Sequence, residues 1–113
     1  MAVAQGKRKR ADDARLLAAL RRKPLRYTDH AACRLDCRFI SRDEVAQALL
    51  SGSINSGKSE PRLQPCPKYV VDAAVGAKGR DKKSIQVALA ACPAETRVLT
   101  VIDADTSWPC PPC

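Results

Sequence analysis

The spacing of apolar residues changes once along this chain, at Gly52. Ahead of it they recur at helical intervals; after it they alternate or gather in short β-branched blocks, so helices should come first and strands second. Residues 11–23 (ADDARLLAALRRK) read as a helix. Asp12 and Asp13 stand near its start and Arg21 to Lys23 at its end, which complements the helix dipole, and Pro24 stops it. Leu16, Leu17 and Leu20 form its docking stripe. Thr28 is placed to cap a second helix running to about Phe39. Ser41-Arg42-Asp43-Glu44 has the spacing of a capping box and opens a third helix, which buries Val45 and Leu49 and ends at Gly52.

Beyond Gly52, residues 53–56 read as a short strand, and residues 57–68 hold three prolines and read as a loop. Residues 69–73 form a strand, a turn follows around Gly76 and Gly79, residues 84–90 alternate, and residues 97–103 are the strongest strand. The expected fold class is α+β, with two to three N-terminal helices followed by a three- to four-stranded antiparallel sheet. Its core is expected to be Val70, Ile85, Val87, Leu89, Val98, Leu99, Val101 and Ile102, covered by Leu35, Phe39, Val45 and Leu49. At 113 residues the chain suits one domain. A basic N-terminal arm and helix occupy residues 1–26, and a single small α+β domain with a Cys/Pro-rich tail occupies residues 27–113.

The formal charge is +8, and residues 1–30 hold nine of the twenty basic residues but three of the twelve acidic ones. Residues 1–10 read as a flexible basic tail. Its cluster at residues 7–10, with another at residues 21–23, would attract RNA or another polyanion through counterion release, without reading sequence. Tyr27, Phe39, Tyr69 and Trp108 are the only large aromatics, too few among the basic residues for a single-strand stacking platform. No apolar run approaches the roughly 20 residues of a membrane span. The basic start is not followed by the apolar segment of a signal peptide, so a soluble cytoplasmic protein is expected, with no membrane partner.

The second helix carries the most informative face. At about 100° per residue, Cys33, Cys37, His30, Arg34 and Arg38 fall within one arc, while Ala31, Leu35, Phe39 and Ala32 fall on the other side. A plain structural helix gives half of that weight an ordinary explanation, because cysteines are often buried and the arginines can pair with Asp29 or Asp36. The functional reading treats the same arc as a site.

Six cysteines, at positions 33, 37, 66, 92, 110 and 113, sharpen the choice. Cys33 and Cys37 on one helical turn, with Cys110 and Cys113 in a proline-stiffened tail, could close a tetrahedral structural zinc site. The same residues could form disulfides, which belong to oxidising compartments, or a terminal redox pair. Cys66 and Cys92 each sit beside proline, as a second pair or as packing. For a reducing cell, zinc ranks above disulfides and free thiols. In every version Trp108 and the thiols must anchor a tail whose prolines cannot join a sheet.

Residues 27–102 resemble an uncharacterised bacterial family, domain of unknown function 4258, on the text Tyr27-Thr28-Asp29-His30-Ala31-Ala32-Cys33-Arg34, Cys37-Arg38-Phe39-Ile40-Ser41 and Glu44-Val45. Gly52-Ser53-Ile54-Asn55, Lys58-Ser59, Pro65-Cys66-Pro67 and Val98-Leu99-Thr100-Val101-Ile102 extend the match, and the cysteines look like one branch of that family. The resemblance implies a fold similar to RelE- and barnase-type ribonuclease toxins. Some members are fused to toxin-delivery proteins, which implies RNA cleavage.

Two functions from different classes follow. A metal-independent ribonuclease would use His30, Arg34 and Arg38 as catalytic residues, with Arg34, Arg38 and Lys58 binding phosphate. An imidazole exchanges protons near neutral pH. Its second proton-transfer partner would have to be Glu44 or Tyr69. The alternative is a zinc- or disulfide-stabilised interaction module without catalysis, which binds RNA or a protein partner.

Overall fold

The computed structural model describes residues 2–76 and 82–113. The chain runs α1 (Ala2–Arg22), β1 (Leu25–Tyr27), α2 (Asp29–Arg38), α3 (Arg42–Ser51), β2 (Ser53–Ile54), β3 (Lys68–Val75), β4 (Lys83–Ala91) and β5 (Thr96–Asp103). The fold is α+β, as expected. Its sheet is larger and mixed: five strands in the order β1-β5-β4-β3-β2, with β1 parallel to β5 and every other pairing antiparallel. The expectation of an all-antiparallel sheet fails at β1, because three residues are too short to carry a period. The turn expected around Gly76 and Gly79 lies mostly outside the described residues.

Each helix boundary has a local cause. The Thr28 hydroxyl oxygen accepts from the Ala31 N–H at 3.0 Å and so caps α2. The Glu44 N–H donates to Ser41 Oγ at 3.1 Å and the Ser41 N–H donates to Glu44 Oε1 at 2.9 Å, the two halves of a capping box. Gly52 ends α3 where no side chain fits: a Cβ there would meet Ala48 O and the Val71 side chain, each at 2.5 Å.

Helices α2 and α3 cover one face of the sheet, α2 against β5 and α3 against β3. Strand alternation sends Ile85, Val87 and Leu89 of β4 into that layer, where Leu35, Val45 and Leu49 meet them. Leu17 and Leu20 of α1 join the same core. Four expected core residues lie outside the core cluster: Val70 is buried on the opposite face of the sheet, Leu99 is the half-buried extra residue where the β4–β5 register shifts, and Ile102 and Phe39 are exposed. Ile102 is 40% exposed, because it neighbours the buried Val101 and must face the other side. Phe39 is 68% exposed, because α2 ends at Arg38 and Phe39 adopts the left-handed conformation, φ 54°. Ile40 takes the buried place instead.

Helix α1 begins far ahead of residue 11, and the run expected to be a flexible tail continues it. Two of its basic residues, and a third just past its end, brace it against the body. Lys9 Nζ donates to Asp13 Oδ2 at 2.7 Å and to the Ile54 carbonyl at 3.1 Å, and Arg21 donates to the Leu49 carbonyl at 2.6 Å. Lys23, just past its end, donates to the Cys92 carbonyl at 2.7 Å. Among the described residues no helix is long and apolar enough to cross a membrane.

Candidate functional site

The structure brings the four grouped cysteines of α2 and the tail together, but as disulfides, and it sets Lys58 apart from Arg34 and Arg38. Cys33 is bonded to Cys113 and Cys37 to Cys110, with Cα–Cα separations of 5.9 and 5.3 Å. Cys66 is bonded to Cys92, Cα–Cα 4.9 Å, tying the proline-rich loop to the end of β4. This overturns the structural zinc site expected at Cys33, Cys37, Cys110 and Cys113. A sulfur committed to a disulfide is no thiolate ligand, and no group of three metal-binding side chains exists among the described residues. Helical i, i+4 spacing presents two sulfurs to a tail as readily for bridging as for chelation, which is why spacing alone did not decide.

The two staples lay the tail back along α2, and a small polar hub holds its start. Asp103 ends β5, and its Oδ1 accepts from the N–H groups of Asp105 and Thr106 at 2.9 and 3.1 Å. Its Oδ2 accepts from Trp108 Nε1 at 2.9 Å. Burial pushes the Asp103 carboxyl up, but these hydrogen bonds and the charge of Lys83 outweigh it, so its pKa lies below the ordinary value. Trp108 packs edge-on against Phe39 with ring centroids 4.9 Å apart. The exposed Phe39 thus covers the tail, not the sheet. Sequence reasoning missed the role of Asp103, although Asp-Ala-Asp-Thr at the end of a strand is a recognisable Asx-turn signal.

Arg38 also has a structural task. Strand β1 pairs with β5 only over Thr96–Val98, which leaves the outer edge of β5 open beyond that point. Arg38 closes part of that edge by donating to the Val101 carbonyl at 2.6 Å. Burial, and then the charge of Arg34, lower the Arg38 pKa from its ordinary value, while Asp103 acts in the opposite sense.

Lys58 does not join Arg34 and Arg38. It lines a cleft of about 410 Å³ on the sheet face away from the helices, floored by Val70, Ala88, Thr100 and Ile102. There its ammonium donates to Gln86 Oε1 at 3.0 Å, and Gln86 Nε2 donates to Asp72 Oδ1 at 2.8 Å. The two other proton-transfer candidates are placed elsewhere. Glu44 holds the α3 cap and pairs with Lys83 at 3.0 Å, and Tyr69 packs against the core. His30 is exposed and makes no hydrogen bond to a side chain of the described residues.

The family model for the domain of unknown function DUF4258 matches residues 27–103, from β1 to the Asp103 hub. No curated protein and no solved structure matches the chain.

Proposed function

The chain belongs to the DUF4258 family, and on that premise we propose that it is a disulfide-stapled interaction module that binds a partner without catalysing a reaction on it. The carrying observation is what occupies the α2 face. Cys33 and Cys37 are tied to the tail and Arg38 is held on a backbone carbonyl, which leaves His30 and Arg34 as the only free chemical groups of the five. A ribonuclease needs an acid and a base flanking one phosphate. Here the two candidates for the second proton transfer, Glu44 and Tyr69, are engaged elsewhere, and the phosphate-binding candidate Lys58 lies on the sheet face away from the helices.

Three disulfides also favour an oxidising compartment over the cytoplasm expected from the amino terminus. The test of the function is incubation of the oxidised protein with labelled RNA. Intact RNA, the same for the native chain and for His30→Ala, supports binding without catalysis. Cleavage that disappears in His30→Ala while the fold is kept would restore the ribonuclease reading.

A further inference from the structure

Once Lys9, Arg21 and Lys23 are bonded to the body, the remaining arginines of α1 are not scattered. Arg10 lines the groove beside Leu17 and Leu50. Arg8, Arg15 and Arg22 are exposed and stand seven residues apart. Seven residues are two helical turns less about 20°, so the three side chains rise along nearly one line at intervals of about 10.5 Å. The line lies on the side opposite Leu17 and Leu20, which are in the core, so it faces solvent. Ala11, Ala18 and Ala19 flank it with side chains too short to hold a partner away. The one acid beside it is Asp12, which pairs with Arg15 across two exposed side chains. Such an exposed pair is worth little and is readily exchanged.

We propose that this arginine line is a docking surface for the phosphate backbone of a nucleic-acid duplex, bound without regard to base sequence. This deepens the interaction-module reading and rests on it. Guanidinium groups stay charged and grip phosphate oxygens in pairs. Three of them on a rigid rod, spanning about 21 Å, complement a polyanion of regular spacing. A membrane surface is a poorer fit, because the apolar stripe an interfacial helix would insert is already packed in the core. A single strand is a poorer fit because no aromatic side chain is interleaved with the arginines. No Asn or Gln stands among residues 8–22 to read a base edge.

The test uses the full oxidised chain and labelled RNA and DNA duplexes of random sequence, titrated over a series of salt concentrations. The variant carries Arg8→Ala, Arg15→Ala and Arg22→Ala, substitutions that favour helix, and its melting curve checks the fold. A control removes three exposed charges elsewhere, Arg62→Ala, Lys82→Ala and Arg97→Ala. The native chain should bind both duplexes with an affinity that falls as salt rises. The α1 variant should lose about 2.7 from the magnitude of the log–log salt slope, close to 0.9 per lost phosphate contact, and the control should lose markedly less. Equal slopes for native and α1 variant, equal losses in both variants, tighter binding to a single strand or to polyglutamate, or no duplex binding at low salt would each overturn the proposal. Degradation of the duplex would instead overturn the non-catalytic reading on which it rests, and the two failures are separately visible on a gel.

Discussion

Trp108 Nε1 donates to Asp103 Oδ2 at 2.9 Å, so the indole that anchors the tail is held by the carboxylate that ends the last strand. That bond has a pH consequence. The folded Asp103 pKa is depressed, so its contribution to stability is present above the ordinary aspartate value of about 3.9 and is lost as pH falls through the lower folded value. Melting temperature against pH should fall on that acid side. In Trp108→Phe, which keeps an aromatic ring beside Phe39 but removes the donor, the acid-side fall should be shallower. An identical pH profile in the two proteins would mean that the bond does not bias the Asp103 proton.

The two tail staples should be strongly non-additive. Cys33–Cys113 and Cys37–Cys110 close loops of separation 80 and 73, nearly the same loop. Once one is formed, the other restricts only a few further residues. Removing either pair by double Cys→Ser substitution should therefore cost about 1 kcal/mol or less, and removing both about 3–5 kcal/mol. Denaturant unfolding of the three variants measures the difference directly, and equal single costs that simply add would contradict it.

Thr96 is fully buried, and its hydroxyl donates to the Leu20 carbonyl at 2.9 Å in the last turn of α1. Thr96→Val keeps the shape and strands that acceptor. The expected cost is about 1–3 kcal/mol, seen as a lower denaturant midpoint. Hydrogen exchange should speed up at the end of α1 more than in β4.

Gly52→Ala should destabilise by about 1–3 kcal/mol, because the new methyl meets backbone at Ala48 and the buried Val71. A neutral result in thermal unfolding would show that α3 can lift from β3 without cost.

Local signals carried much of the fold. Thr28 and the Ser41–Glu44 box act through atoms three residues away, so their helices could be read from sequence, and alternation in residues 84–90 identified β4. What escaped depends on distant partners. Leu25-Arg26-Tyr27 becomes a strand only because Thr96–Val98 lies beside it. Phe39 sits on a helical periodicity that its own left-handed conformation breaks, because the helix ends at Arg38. The basic run ahead of residue 11 reads as solvated until Ile54 offers its carbonyl to Lys9. For the candidate site, the α2 arc was legible as a cluster, but its chemistry was not. A thiol pair one turn apart, an arginine and a histidine look the same before the tail and the open edge of β5 claim three of them.

The parallel pairing of β1 with β5 has a consequence for synthesis on the ribosome. Strand β1 leaves the exit tunnel early, yet its only hydrogen-bonding neighbour in the sheet, Thr96–Val98, is made some seventy positions later. Until then Leu25 and Tyr27 have no strand to lie against, and β4 presents a bare edge. The nascent chain must therefore wait, its sheet unfinished, and arrival of β5 inserts the missing strand between β1 and β4, seats β1 and brings Cys110 and Cys113 within reach of α2 almost together. Closure of this fold waits on β5, and chains stopped before residue 96 should lack both the β1 pairing and the two tail staples.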